Sequence, residues 1–196
     1  NTLTFSILNG SIDVLPYWHL PQNCHRKVSF KKEKDLLLKL EDLLFKSVKK
    51  KVYGFDVFGK FPNQKNKKDD NFAKNHNKNI GFGTELVKLN KVFKRKNYTN
   101  FKLIKGRVEK TLDVFIKKNK KIKISFLHLD LDVYKPTLFA LERLYKNVSK
   151  GGIILLDDYG KVDGATKAVR DFFKKNKLKL NIQATKFDKK LKFIIK

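Results

Sequence analysis

The spacing of apolar positions changes repeatedly along the chain, from the short apolar runs of strands to the three- and four-residue intervals of amphipathic helices. Runs of the first kind predict strands at residues 2–8, 51–58, 100–106, 123–132, 153–158, 179–185 and 191–196. Intervals of the second kind predict helices at residues 31–50, 83–96, 108–119, 136–148 and 164–176. Because strands alternate with helices, the pattern predicts an α/β fold: a mostly parallel sheet with helices on both faces and an antiparallel edge at the closing strand pair.

Residues 59–79 interrupt this alternation with a polar segment rich in Lys and Asn. We expect a long loop here. Loops of more than about 12–15 residues in a compact domain are usually functional lids or disordered, so we expect this one to close over a substrate and exclude water.

Length and composition favour one domain, residues 1–196, because the chain shows no internal repeat and no second apolar core. No apolar run approaches the ~20 residues of a membrane span, and no signal peptide is visible. The single cysteine, Cys24, excludes an internal disulfide and fits a reducing compartment, so we expect a cytoplasmic protein. The chain begins at Asn1 and contains no methionine, so we expect it to be trimmed or to be a piece of a longer protein.

Charge leaves two interpretations open. The chain has 46 Lys and Arg against 19 Asp and Glu, a net charge of +27. Such an excess can bind an anionic partner such as nucleic acid or a membrane surface. A compositional bias towards Lys and Asn, with a solvated surface, would give the same total.

Four carboxylates follow two of the predicted strands, in HLDLD and GGIILLDDYG. Asp130 and Asp132 point to the same side because side chains alternate along a strand, and Asp157 and Asp158 end the next strand. One right-handed crossover, helix 136–148, joins the two strands, so we expect them to be neighbours about 4.8 Å apart. Two unit charges about 4 Å apart repel by roughly 4 kcal/mol at an effective dielectric of 20. A divalent cation would remove this repulsion, and all-oxygen ligation favours Mg²⁺ over zinc.

The competing interpretation is that these acids cap helices or pair with the surplus lysines. Asp157 and Asp158 point to opposite faces of a regular strand, so both are ligands only if the chain leaves strand geometry, which the following Tyr159 and Gly160 permit. His128, on the same strand face as Asp130, is either a packed residue or a functional group.

A family resemblance rests on the run LHLDLDVYKPTLFALERLYKNVSKGGIILLDDYGKVDGATKAVRDFF. It resembles the macrocin O-methyltransferase (TylF-type) family in its Asp-rich strand end, its Gly-Gly, its Asp-Asp-Tyr-Gly and its Gly-Ala-x-x-Ala-Val. The resemblance is specific over residues 123–173. It is moderate over residues 51–122, where YGFDVFGKFP and KGRVEKTL are similar to family segments, while residues 1–50 are atypical.

The resemblance implies a Rossmann-like methyltransferase fold that uses S-adenosylmethionine and Mg²⁺ to methylate a hydroxyl of a sugar or sugar-containing natural product. Carried over by position, it implies Asp130, Asp157 and Asp158 as metal ligands and Asp132 as the general base. It places Asp56, which ends the second strand, at the cofactor ribose. The expected partner is a small glycosylated substrate; nucleic acid is not expected, and a homo-oligomer is left open.

The N-terminus departs from the family pattern, in which an acid-x-Gly-x-x-x-Gly loop follows the first strand. Gly10 is the only glycine before Gly54. Either residues 2–11 are a degenerate first strand and loop, with Gly10 at the cofactor, or the glycine-rich loop lies upstream of Asn1. The leading hypothesis is therefore a metal-dependent O-methyltransferase. The alternatives are a catalytically decayed fold that binds an anionic polymer and, supported by charge alone, an RNA methyltransferase.

Overall fold

The structure is a computed structural model that describes residues 2–7, 51–81, 83–185 and 188–196. The helix predicted at residues 31–50, together with Gly10 and Cys24, lies outside these ranges. No helix within the described ranges is both long and apolar enough to cross a bilayer.

Strands and helices alternate as predicted from the apolar spacing. The strands are β1 (Thr2–Ile7), β2 (Val52–Asp56), β3 (Phe101–Lys105), β4 (Ile124–Asp130), β5 (Val148–Leu156), β6 (Gln183–Ala184) and β7 (Lys192–Ile195). The helices are α1 (Lys67–Asn79), α2 (Leu86–Arg95), α3 (Val108–Lys118), α4 (Tyr134–Leu144) and α5 (Asp163–Lys175), and a 3₁₀ turn (Tyr145–Asn147) joins α4 to β5. The α/β class predicted from the sequence is confirmed.

The strands form one sheet in the order β3-β2-β1-β4-β5-β7-β6. β2 pairs with β3, and β4 with β5, in parallel. β7 runs antiparallel to β5 and β6, which confirms an antiparallel end of the sheet.

The expected parallel pairing fails at the centre of the sheet, because β1 is antiparallel to both β2 and β4. Ile7 pairs with Ile124, at the start of β4, and Thr2 pairs with Asp130, at its end. β1 therefore ends at the edge of the sheet opposite to Asp130. A strand can pair the backbone N–H and C=O groups of its neighbours in either direction. The alternation of apolar residues is the same in both directions, so the sequence does not indicate which way β1 runs.

The core lies between the sheet and helices α3, α4 and α5. Its centre contains the fully buried side chains Phe55, Leu112, Leu127, Leu141, Leu144, Ile154 and Phe173. Leu127 and Leu129 point into this core. Because side chains alternate along β4, His128 and Asp130 point to its other face.

The loop predicted for residues 59–79 is wrong over its second half, which forms α1. Asn66 caps this helix by accepting the backbone N–H of Lys68 at 2.8 Å, and Asp69 and Asp70 lie in its first turn, where carboxylates complement the helix dipole. Ala73 is buried in a small cluster with Phe61. Because α1 contains so few apolar residues, its sequence shows little helical periodicity. The capping residue Asn66 is the stronger sequence signal for this helix.

Candidate functional site

The acidic site lies where β4 and β5 end side by side. Leu129 pairs with Leu156 in parallel register, and the N–H of Asp157 donates to the carbonyl of Leu129 at 3.0 Å. Asp130, Asp132 and Asp158 meet at this edge, each offering a carboxylate oxygen within 4.8 Å of those of the other two. The predicted adjacency of the two strand ends is confirmed.

The chain leaves strand geometry directly after β5, which brings Asp158 into the site. The carbonyl of Asp158 accepts the N–H groups of Lys161 and Val162 in a turn, at 3.0 and 2.9 Å. Its carboxylate oxygen Oδ2 accepts the N–H of Asp132 at 2.8 Å, and only 6% of the residue is exposed. Asp157 lies further out, where its Oδ2 accepts from Nζ of Lys161 at 3.3 Å.

Asp132 lies at the centre of a tight turn between β4 and α4. Its φ of 58° is in the left-handed region, and the N–H of Val133 donates to the carbonyl of Leu131 at 2.6 Å, as in a γ-turn. The carbonyl of Asp132 accepts from the N–H of Ala165, in the first turn of α5, at 3.2 Å. Backbone strain of this kind concentrates at functional sites and persists where surrounding contacts determine it.

Burial raises the pKa of all three clustered carboxyls. For Asp132, burial and the neighbouring Asp158 and Asp130 charges raise the pKa to about 7. Burial also raises the pKa of Asp130, with a further contribution from Asp157, and that of Asp158. The site therefore disfavours several negative charges together unless a cation joins them.

This cluster fits a hard divalent cation for a second reason. Among the described residues no Lys or Arg side chain forms an ion pair with Asp130, Asp132 or Asp158, although the chain carries a net charge of +27. Buried carboxylates are normally paired or bound to a metal, and carboxylate oxygens are the ligands that Mg²⁺ prefers.

Asp56 ends β2 at the same edge of the sheet. Its Oδ1 accepts the N–H of Phe58 at 2.5 Å, and its carbonyl accepts the N–H of Gly106 at 2.8 Å. Asp56 borders a cavity of about 430 Å³ that also reaches Gly54 and His76, and its charge contributes to the raised pKa of Asp130. A ligand held at Asp56 would thus lie close to the acidic cluster.

Sequence reasoning missed one buried acid, Asp69 of α1. It is 6% exposed and its Oδ2 accepts the N–H of Tyr134 at 3.1 Å. Asn66 followed by two acids is a helix-start signal that would have placed Asp69 on a helix. The local sequence contains no signal for its contact with residue 134. His128 is partly buried beside Asp130, and no described residue hydrogen-bonds its Nε2.

Two solved structures of methyltransferases have a similar fold. The structure of the O-methyltransferase NovP has a TM-score of 0.61 and 22% identity, covering 72% of this chain and 57% of that one. CalS11, a calicheamicin methyltransferase, has a TM-score of 0.62 and 19% identity, covering 81% and 66%. At such identities the likeness shows the fold alone, and it confirms the predicted Rossmann-like methyltransferase fold. This chain spans less than two thirds of either structure.

A search of curated proteins finds no match. A model of the macrocin-O-methyltransferase (TylF) family, in contrast, matches residues 40–192. This range contains both acid-ended strands, Asp56, Asp69 and the turn at Asp132, and it covers well over half of the sequence. The chain belongs to the macrocin O-methyltransferase (TylF) family.

Proposed function

We propose that this protein transfers a methyl group from S-adenosylmethionine to a hydroxyl of a sugar or glycosylated natural product, in a reaction that depends on Mg²⁺. The observation that supports this proposal most strongly is the cluster of the half-buried Asp130 and Asp132 with the buried Asp158, in a chain of this family. Nearby, Asp157 completes the four carboxylates at the ends of β4 and β5.

Asp130, Asp157 and Asp158 would hold the ion. Asp157, whose carboxylate contacts Nζ of Lys161 at 3.3 Å, would have to give up that contact to become a ligand. When bound, the ion lowers the pKa of a coordinated substrate hydroxyl and orients it. Two neighbouring hydroxyls of a sugar are well suited to such chelation, which supports the substrate class.

Asp132 would remove the proton from the substrate hydroxyl. Its backbone is held on both sides, by Asp158 at the N–H and by Ala165 at the carbonyl, so the direction in which the side chain leaves the backbone is fixed. A positioned carboxylate of this kind contributes about 10²–10⁴-fold to the rate. The methyl donor carries its own leaving group, so no nucleophilic side chain is needed.

Asp56 would bind the ribose hydroxyls of the cofactor. It stands at the end of β2, where folds of this type place an acidic ribose ligand, and it borders the 430 Å³ cavity. A cofactor bound there would lie on one side of the acidic cluster, and the sugar would bind on the other side.

The test is calorimetric titration of the protein with S-adenosylmethionine and Mg²⁺, followed by transfer of labelled methyl groups to a panel of glycosides. We expect binding and transfer in the wild type and in Asp113→Ala, which removes an exposed acid paired with Arg143. We expect no transfer by Asp158→Ala. Absence of binding heat in a protein with native circular dichroism would contradict the proposal.

Two observations favour a second function, a decayed methyltransferase fold that binds an anionic polymer. The net charge is +27, and the reversed β1 ends at the edge opposite to Asp130. This alternative predicts heparin binding that falls steeply with salt and is unchanged by Asp157→Ala. The enzymatic proposal predicts that the same substitution abolishes methyl transfer.

A further inference from the structure

Asp69 is a buried carboxylate outside the acidic cluster, and none of the roles above uses it. Among the described residues, the buried polar or charged ones are Asp69, Thr137 and Asp158. Burying a carboxylate is unfavourable unless hydrogen bonds or positive charge compensate it. Asp69 lies in the first turn of α1 and meets the first turns of α4 and α5, so three helix N-termini offset part of that cost. Burial still raises the pKa of Asp69 above its ordinary value, while the hydrogen bond from Tyr134 acts in the opposite direction.

Both oxygens of Asp69 have a defined environment. Oδ2 accepts the N–H of Tyr134, the first residue of α4, at 3.1 Å. Oδ1 lies against Gly164 of α5, where an added Cβ would be only 2.4 Å from it and 2.8 Å from the nitrogen of Tyr134. Gly164 is therefore required for space, which explains the glycine that opens the GATKAV motif.

Tyr134, whose N–H donates to Asp69, lies two positions after Asp132. Three elements thus fix one short turn: Asp158 accepts the N–H of Asp132, Ala165 donates to its carbonyl, and Asp69 accepts the N–H of Tyr134. A non-glycine residue at a φ of 58° stays there only when its surroundings determine the conformation.

Asp69 also connects this turn to the segment that follows Asp56. The N–H of Gln64 donates to Asp70 at 2.9 Å. Asn77 exchanges hydrogen bonds with the backbone of Phe61, at 2.7 and 2.9 Å. Hydrogen bonds therefore join the segment that follows β2 to α1. A further hydrogen bond, from Tyr134 to Asp69, joins α1 to the turn at Asp132.

We propose that Asp69 is a positioning residue for the methyl transfer: its carboxylate, seated on Gly164, holds the turn that directs Asp132 into the acidic cluster. The expected loss of turnover rests on the proposed function, whereas the expected loosening of the turn at Asp132 does not. Misplacing a catalytic group lowers turnover more than it lowers substrate affinity.

Three variants separate this role from a general effect on folding. Asp69→Ala removes the acceptor for Tyr134, and Asp69→Asn keeps an acceptor oxygen of the same shape. Gly164→Ala leaves Asp69 intact but occupies its space, in a helix where alanine is otherwise the better residue. Asp113→Ala, an exposed acid paired with Arg143, is the matched control.

In methyl-transfer kinetics we expect Asp69→Ala and Gly164→Ala to lower kcat by about tenfold or more, with KM for S-adenosylmethionine within about twofold of wild type. We expect the kcat of Asp69→Asn to lie within about threefold of wild type. We expect the kcat of the control Asp113→Ala to equal that of wild type. Equal losses in Asp69→Ala and Asp69→Asn, or a full kcat in Gly164→Ala, would overturn the proposal.

Amide hydrogen exchange tests the same role without turnover. Exchange of the Tyr134 and Asp132 amides should be about tenfold faster or more in Asp69→Ala and Gly164→Ala, with β4 unchanged. If the wild type methylates no acceptor, the proposed function fails, yet the exchange result still decides the role of Asp69. Unchanged exchange at Tyr134 rejects that role. Should Asp69→Ala not fold, Gly164→Ala and Asp69→Asn carry the same comparison.

Discussion

Replacing Asp132 by Asn in metal-free protein is expected to stabilise the fold at pH 8. The native carboxyl has its pKa raised to about 7 by burial and by Asp158 and Asp130, so its ionised form is unfavourable in the folded state. Asparagine keeps the shape, removes the charge, and tolerates the left-handed φ of 58° that this position requires. The substitution should therefore relieve electrostatic repulsion without straining the turn.

The size of this effect follows from the pKa rise. Each unit corresponds to about 1.4 kcal/mol, so a rise from 3.8 to about 7 sets an upper limit near 4 kcal/mol. Well below pH 3.8 the carboxyl is protonated in both folded and unfolded states, and the two proteins should differ little in stability. Between pH 4 and 7 only the unfolded state loses its proton, so wild-type stability falls and the advantage of the variant grows. We expect about 2–4 kcal/mol at pH 8.

Urea denaturation at pH 4, 6 and 8 in the presence of a chelator measures this difference. Asp113→Asn, which changes an exposed acid, is the control. A variant that is less stable than wild type at pH 8, or a difference that does not change with pH, would refute the electrostatic reasoning. The same variant should lose methyl transfer, so that stability and activity change in opposite directions.

Three further predictions test other parts of the structure. Asn66→Ala removes the cap of α1 and should lower the free energy of unfolding by about 1 kcal/mol in urea denaturation; no change would argue against this helix. Leu141→Ala, in the fully buried centre of the core, should cost about 2–5 kcal/mol in the same assay, whereas the exposed Val114→Ala should cost less than about 1 kcal/mol. Addition of Mg²⁺ at neutral pH should raise the Tm of the wild type but not of Asp158→Ala, because an ion that binds the folded protein and not the unfolded chain stabilises the folded state. Equal shifts of Tm in both proteins would show that the ion binds elsewhere.

Features that depend on local sequence or on general rules of chain topology were predicted well. Apolar runs and helical intervals placed the strands and helices from β2 to α5, apart from α1, to within about four residues, except that β5 begins at Val148, five residues before the predicted start. The Gly-Gly pair that was expected to precede this strand lies within it. The neighbourhood of Asp130 and Asp158 followed from one right-handed crossover between their strands. The resemblance identified the family, because its motifs lie on these same elements.

Features that depend on distant contacts or on strand direction were not predicted. A strand pattern reads the same in both directions, so the antiparallel course of β1 was missed. Helix α1 buries few apolar side chains and depends on Asn66, whose capping signal was not recognised. Asp69 meets Tyr134 across 65 positions of the sequence, and nothing near either residue indicates that contact. The left-handed turn that brings Asp132 close to Asp158 is likewise a property of the packed structure.

The central claim, that the ends of β4 and β5 together bind one divalent cation, is tested most directly by anomalous diffraction from crystals soaked in manganese. We expect a peak at roughly 2.0–2.6 Å from carboxylate oxygens of Asp130 and Asp158. A map without a peak there, from crystals in which manganese occupies other sites, would contradict the claim.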